Sequence, residues 1–371
     1  MRKPLLTLAM LLSVMSAQSE TARFYLGAYT KEPTGGKGIY TGTLDSKTGK
    51  LGPISLAATA ENPSFVSVSP DGKYAYAALE GKSGAVGAYA VQPDGSLKFL
   101  NSQPASGKAT CHVSVDAGGK YVFAANYSSG DIVVFPVQAD GSLGAQTDFK
   151  AFAGSGPDAG RQKGPHAHFI QADPLGRFVY ACDLGTDKVW IFALDAAKGT
   201  LKPADPDSAS VPPGSGPRHL AFDPKGKFAY ANNEMGLSVT TFSHDEKTGA
   251  LVPLQTVPSL PAGSDHAAKV TTSEIVCHPS GNWLYVSNRV ANTIATYSIG
   301  PDGLLTFIED APALVQVPRG MALDPTGHWL ITAGQNNGRI AVLKVNSKTG
   351  RLSVTDEAAE VPSPVSVTFA P

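Results

Sequence analysis

Asp173-Pro-Leu-Gly-Arg-Phe-Val-Tyr180 joins a tight turn to an aromatic, β-branched run, and the same pattern recurs along the chain. It stands as Ser69-Pro-Asp-Gly-Lys-Tyr-Ala-Tyr76, Asp223-Pro-Lys-Gly-Lys-Phe-Ala-Tyr230, His278-Pro-Ser-Gly-Asn-Trp-Leu-Tyr285 and Asp324-Pro-Thr-Gly-His-Trp-Leu-Ile331. Asp116-Ala-Gly-Gly-Lys-Tyr-Val-Phe123 is a copy without the proline. Proline and glycine at these offsets make a turn, and the aromatic and β-branched residues after the turn have strand chemistry.

A second unit, Gly-x-Leu, opens at Gly49, Gly95, Gly141, Gly199, Gly249, Gly303 and Gly350, at intervals of 46 to 58 residues. Polar turns such as Asp45-Ser-Lys-Thr-Gly49 and Pro93-Asp-Gly95 precede it, placing glycine where a hairpin needs a positive φ. Four short apolar runs fill each unit; in one they are Leu220–Phe222, Phe228–Ala231, Leu237–Phe242 and Leu251–Val257. No longer run keeps a helical period, so a helical solenoid is excluded. Four strands per unit of this length predict a β-propeller blade.

The turn motif has no seventh copy. Pro364-Val-Ser-Val-Thr-Phe-Ala-Pro371 matches Pro63-Ser-Phe-Val-Ser-Val-Ser-Pro70 as an inner strand with nothing after it. Phe24-Tyr-Leu-Gly-Ala-Tyr29 and Gly38-Ile-Tyr-Thr-Gly-Thr-Leu44 read as later strands lacking an inner one. Together they complete one blade. The expectation is an all-β fold: one seven-bladed β-propeller over residues 20–371, of four-stranded antiparallel blades, closed by pairing of the N- and C-terminal strands.

Composition agrees with one large core. Of 371 residues, 42% are apolar and 16% charged, which excludes global disorder. The formal net charge is −1 and no Lys/Arg run exceeds two, so no nucleic-acid partner is expected. Residues 1–19 have the form of a signal peptide: Arg2 and Lys3, an apolar stretch from Leu5 to Met15, then Ala17-Gln-Ser19. The mature chain is therefore expected to be periplasmic or secreted, off the membrane, and monomeric because a closed propeller needs no partner. Cys111, Cys182 and Cys277 sit in or beside apolar runs and read as buried free thiols rather than nucleophiles.

In an antiparallel blade, residues just before the inner strand and just after the second strand share one face. The first set is Ser64, Cys111-His112, His166-Ala-His168, Arg218-His219, Ser273-Glu274 and Arg319. The second is Glu80, Asn126, Asp183, Asn232-Asn-Glu234, Asn288-Arg289 and Gln335-Asn336. A polar ring of this kind over an apolar propeller is the expected binding site. His112, Asp183, His219, Glu274, Arg319 and Asn336 are expected to bind substrate there. A long insertion, Phe152 to Pro165, leads into the His-x-His stretch. The histidines and Asp183 could also hold a metal, but no repeat supplies an ordered ligand motif, so no metal or other cofactor is expected. No nucleophile elbow, phosphate loop or dinucleotide motif is present.

The hairpins, Arg161-Gln162 with Pro165-His-Ala-His168, Gly216-Pro-Arg-His-Leu220, Asn233-Glu234, Ser273-Glu-Ile275 and Ser287-Asn-Arg289 resemble the seven-bladed lactonase family. That family includes the propeller type of 6-phosphogluconolactonase and a carboxymuconate lactonizing enzyme, and the resemblance runs from about Arg23 to Pro371. It implies a lactonase whose polar set is His166 or His168, Arg218, Glu234 and Arg289. In the implied mechanism Arg218 and Arg289 bind the carbonyl oxygen or an anionic group of the substrate. His168 or His166 acts as general base on water, and Glu234 orients or shares that role. The substrate would be a small-molecule sugar lactone, 6-phosphogluconolactone-like or an unphosphorylated aldonolactone. A non-catalytic exported propeller binding a glycan or protein, and a metal-dependent lactonase lost to chelator, are the alternatives.

Overall fold

The computed structural model describes residues 21–31, 35–264 and 270–371; the expected signal peptide, residues 1–19, lies outside the described residues. Among the described residues the strands form seven four-stranded antiparallel sheets, each a blade. The inner strands of blades 1 to 7 are Pro364–Phe369, Pro63–Val68, Thr110–Val115, Ala167–Ala172, Pro217–Phe222, Thr271–Cys277 and Pro318–Leu323. Blade 1 is closed as expected: the C-terminal inner strand pairs with Thr21–Ala28, Phe24 opposite Phe369 and Leu26 opposite Val367.

The two repeated motifs meet between blades. Gly249, in the blade 5 hairpin, sits at φ 77°, and a Cβ there would strike the ring of Phe178 in blade 4. The hydroxyl of Tyr180 donates to the Gly249 carbonyl at 2.7 Å. Tyr76 to Gly141, Tyr230 to Gly303 and Tyr285 to Gly350 repeat that bond in other blades. The motif's aspartate caps its own turn: Asp173 accepts from the backbone N–H groups of Arg177 and Phe178. Each of these blades thus carries a knob for the next blade's hairpin. The apolar clusters likewise lie between neighbouring blades, as where Phe169 and Tyr180 pack with Leu220 and Phe242.

A shared irregularity aims the site residues. Each inner strand carries a β-bulge near its start, so that one side chain is skipped in the pairing. The skipped residues are Ser64, Cys111, His168, Arg218 and Arg319; blade 1 skips Val365, and blade 6 bulges at Ser273-Glu274. A bulge turns its residue out of the pleat alternation, so adjacent side chains need not point to opposite faces. Cys111 and Cys182 are buried, Cys277 is half-buried, and all three are free thiols.

Candidate active site

At the bulged end of the inner strands a cavity of about 190 Å³ is lined by Glu80, Cys111, Tyr127, Arg161, His168, Glu234, Arg289 and Arg319. It is below the roughly 300–1,000 Å³ of drug-sized pockets and suits a small ligand. Glu234 is its electrostatic centre. Its Oε1 accepts from Arg161 Nη2 at 2.7 Å, and its Oε2 lies 2.9 Å from Arg289 Nη2 and 3.1 Å from Arg218 Nε. Two blades and an insertion loop converge there, because Arg161 belongs to the segment before blade 4.

Across the cavity lie residues of blades 7, 1 and 2. The Arg319 guanidinium stands 5.4 Å from the Tyr29 ring, and the Tyr29 hydroxyl donates to Glu80 Oε2 at 2.9 Å. Arg319 has no carboxylate within ion-pair distance among the described residues, unlike the three arginines around Glu234. The cavity side of His168 is backed by Cys111, whose thiol is 3.9 Å from the His168 Nδ1.

A model of the lactonase family of seven-bladed β-propellers matches residues 23–369. The chain belongs to the seven-bladed β-propeller lactonase family. It is 36% identical over 349 residues to 6-phosphogluconolactonase of Bacillus subtilis, covering 93% of this chain and 97% of that one. It is 30% identical to the 6-phosphogluconolactonase of Formosa agariphila, covering 88% of this chain and 94% of the relative. The solved structure of the periplasmic gluconolactonase of Pseudomonas aeruginosa superposes with a TM-score of 0.88 at 30% identity, covering 95% of this chain and 99% of that one.

Several residues expected at the lactonase site stand elsewhere. Arg218 does not line the cavity; its side chain is 3% exposed and it backs Glu234 from behind. The two histidines of His166-Ala-His168 part company: His168 faces the cavity, while His166 stacks on Tyr127 and shares a 2.9 Å hydrogen bond with the Tyr127 carbonyl. Because that carbonyl can only accept, His166 Nδ1 carries the proton. Asp183 is a structural cap. It accepts from the backbone N–H groups of His166 and Gly185, from Thr186 Oγ1 and from Trp190 Nε1. Asn336 lies on an exposed turn away from the cavity. His112 and His219 form, with Phe65 and Phe169, a ring stack in the channel. Glu274 lines the larger cavity beyond that stack, about 520 Å³. Among the described residues no three His, Cys, Asp or Glu side chains group as metal ligands.

Arg161, Tyr127, Tyr29 and Glu80 were not in the expected set. Glu80 is on the predicted rim and Arg161 in the marked insertion, so both had a sequence signal. Tyr127 and Tyr29 follow strands at the rim, but an aromatic there looks like any other blade residue.

Burial dominates the site's ionisation. It opposes the Glu234 charge, yet Arg289, Arg218 and Arg161 hold that carboxyl down at about 2. Burial, then Arg319 and Arg289, bring Arg218 down to about 10. His168 is pushed well below its ordinary value by burial, then by Arg218 and His219. Burial first, then neighbouring charge, also lowers His112 and His219, while burial raises Glu274 to about 7.

These shifts predict acid sensitivity. Below about pH 6.5 an unfolded chain protonates its histidines, but the native fold keeps these three neutral. Stability is then full well above that pH and falls as pH is lowered through it, at a rate that approaches roughly 1.4 kcal/mol per unit for each histidine. Glu274 runs the other way, since the native state holds its proton between about 4.5 and 7, and offsets one of them. The net loss is roughly 2 kcal/mol over the first unit below pH 6.5, because the unfolded histidines are only half-protonated at the start of that interval. Urea midpoints at pH 6.5 and 5.5 measure it; equal midpoints would contradict the assignment.

Proposed function

We propose that this lactonase hydrolyses a sugar lactone to its hydroxy acid by base-assisted attack of water, in the cavity around Glu234. The observation that carries this is the meeting of one neutral imidazole, the ionised Glu234 carboxylate and three cavity-facing guanidiniums in a small channel mouth that Glu80 also lines. Arg319, which no carboxylate meets at ion-pair distance among the described residues, and Arg289 hold the carbonyl oxygen, where negative charge develops. His168 takes the proton of the attacking water, whose oxygen bonds to the carbonyl carbon. The ring C–O bond then breaks and the same proton passes to the departing alkoxide. Glu234 keeps Arg289 and Arg161 in place and stays ionised throughout.

The names of the Bacillus and Formosa relatives favour 6-phosphogluconolactone. Residues 1–19 and the periplasmic Pseudomonas neighbour favour an unphosphorylated aldonolactone and an exported protein. Purified protein is to be assayed on 6-phosphoglucono-δ-lactone and glucono-δ-lactone, corrected for spontaneous opening. Turnover of either supports the reading, and the ratio selects the substrate. Because His168 works as the neutral base, the acid limb of kcat/KM is expected below pH 6.5. Binding of either lactone without turnover would leave a non-catalytic propeller in its place.

A further inference from the structure

Glu274 and His219 do not line the reaction cavity, yet an unbroken chain of polar contacts joins them to Glu234. We propose that His219 and Glu274 are positioning residues that hold Arg218, and through it Glu234, in the geometry that hydrolysis needs. This rests on the lactonase reading above.

Arg218 Nη1 lies 3.1 Å from His219 Nε2. An arginine only donates, so this ring nitrogen accepts. The single ring proton of a neutral imidazole is then on Nδ1, and it is donated to Glu274 Oε1 at 2.7 Å. The carboxyl group is itself fixed, because Oε1, an acceptor in the protonated and the ionised form alike, also accepts from the Ile275 N–H at 3.1 Å and the Glu274 N–H donates to Ser287 Oγ at 2.8 Å. The His219 backbone N–H donates to Asn232 Oδ1, and its ring is wedged among Phe169, His112 and His168. Burial and the neighbouring Arg218 and Arg319 keep that ring neutral.

Without an acceptor at Glu274, the ring is free to carry its proton on Nε2. Two donors would then face each other and Arg218 would turn away. Among the described residues Arg218 Nη1 otherwise holds only the Ser273 carbonyl, at 2.7 Å, while its Nε faces Glu234 at ion-pair distance without a hydrogen bond. The bulges make the chain possible. Arg218 and His219 are consecutive, but the bulge points one behind Glu234 and the other into the channel stack. The blade 6 bulge brings Glu274 to the same level.

Two variants of the full chain and one spectrum test this. Glu274→Met fills the space without an acceptor and is expected to lower kcat about 10–100-fold, the usual effect of losing an orienting partner, with KM moving far less. Glu274→Gln keeps an oxygen for the Nδ1 proton and is expected to restore kcat to within about threefold of wild type, a rescue that loss of packing alone would not show. Nitrogen-15 spectra of histidine-labelled wild type are expected to show His219 as the Nδ1–H tautomer. Wild-type kcat in a folded Glu274→Met protein, equal losses in both variants, or an Nε2–H ring in the wild type would each overturn the proposal. If wild type opens neither lactone, the lactonase reading fails by itself, and the tautomer still decides whether the chain to Arg218 exists.

Discussion

Glu234→Gln is expected to lower lactone turnover by about three orders of magnitude, the scale of losing a preorganised electrostatic group, and to reduce stability by about 3–5 kcal/mol. Both effects have one cause. Arg161, Arg218 and Arg289 converge on this carboxylate, whose side chain is 6% exposed. A neutral amide leaves three guanidiniums facing one another with no counter-charge. Arg218, already lowered to about 10 by burial and its like-charged neighbours, has no other carboxylate at ion-pair distance among the described residues. The guanidiniums separate, and the carbonyl loses its aligned partner in Arg289. Arg161→Gln is the control, because that side chain is 44% exposed and its ion pair should be worth no more than about 1 kcal/mol. Thermal or urea unfolding beside steady-state kinetics reads both effects. A folded Glu234→Gln protein with kcat within about tenfold of wild type would remove Glu234 from the mechanism.

Ending the chain after Val361 is expected to prevent folding altogether. The lost segment contains the inner strand of blade 1, Pro364–Phe369. Thr21–Ala28 would lose its partner along that edge, and Thr368 would no longer donate to the Val66 carbonyl in blade 2. Val365 and Val367 are buried, and Phe369 meets Phe24 edge-to-face at 5.7 Å. At about 1.5–3 kcal/mol for each buried apolar side chain, the two valines alone supply about 3–6 kcal/mol, against the roughly 5–15 kcal/mol that holds a typical domain together. The open ring would also present an unpaired strand edge, which invites aggregation. Soluble yield and a cooperative thermal transition are the readouts. A truncated protein melting within about 5 °C of the full chain would show that closure contributes little.

The fold was legible because its signals are local. Asp173 caps the turn that leads into Phe178, Gly249 supplies one left-handed backbone angle, and Tyr180 donates one bond to the next hairpin. Repetition of such features around the chain defines blade number and strand order. The absence of the turn motif from blade 1 is equally plain, and with the unmatched terminal strands it predicts the strand pairing that sets Phe24 opposite Phe369.

The site was legible as a rim and not as a mechanism. Strand direction in an antiparallel blade puts Glu234, Arg289, Arg319 and His168 at one end of the channel, and one cavity there is lined by all four. It could not separate His168 from His166, or Arg218 from the cavity wall, because each depends on a bulge that no residue type announces. Nor could it find Tyr29 and Tyr127, which matter only for the groups that stand opposite them.

From sequence alone come the seven blades, their closure, the polar rim and the family resemblance, since turn chemistry and strand periodicity act within a few residues. Tertiary structure alone decides which charges cancel. Arg161 and Glu234 are 73 residues apart, and His219 and Glu274 are 55 apart. Coulomb forces and hydrogen bonds depend on distance and direction in space. Only closing the ring brings these groups together, leaving Arg319 without a carboxylate at ion-pair distance among the described residues and assigning the Nδ1 proton of His219.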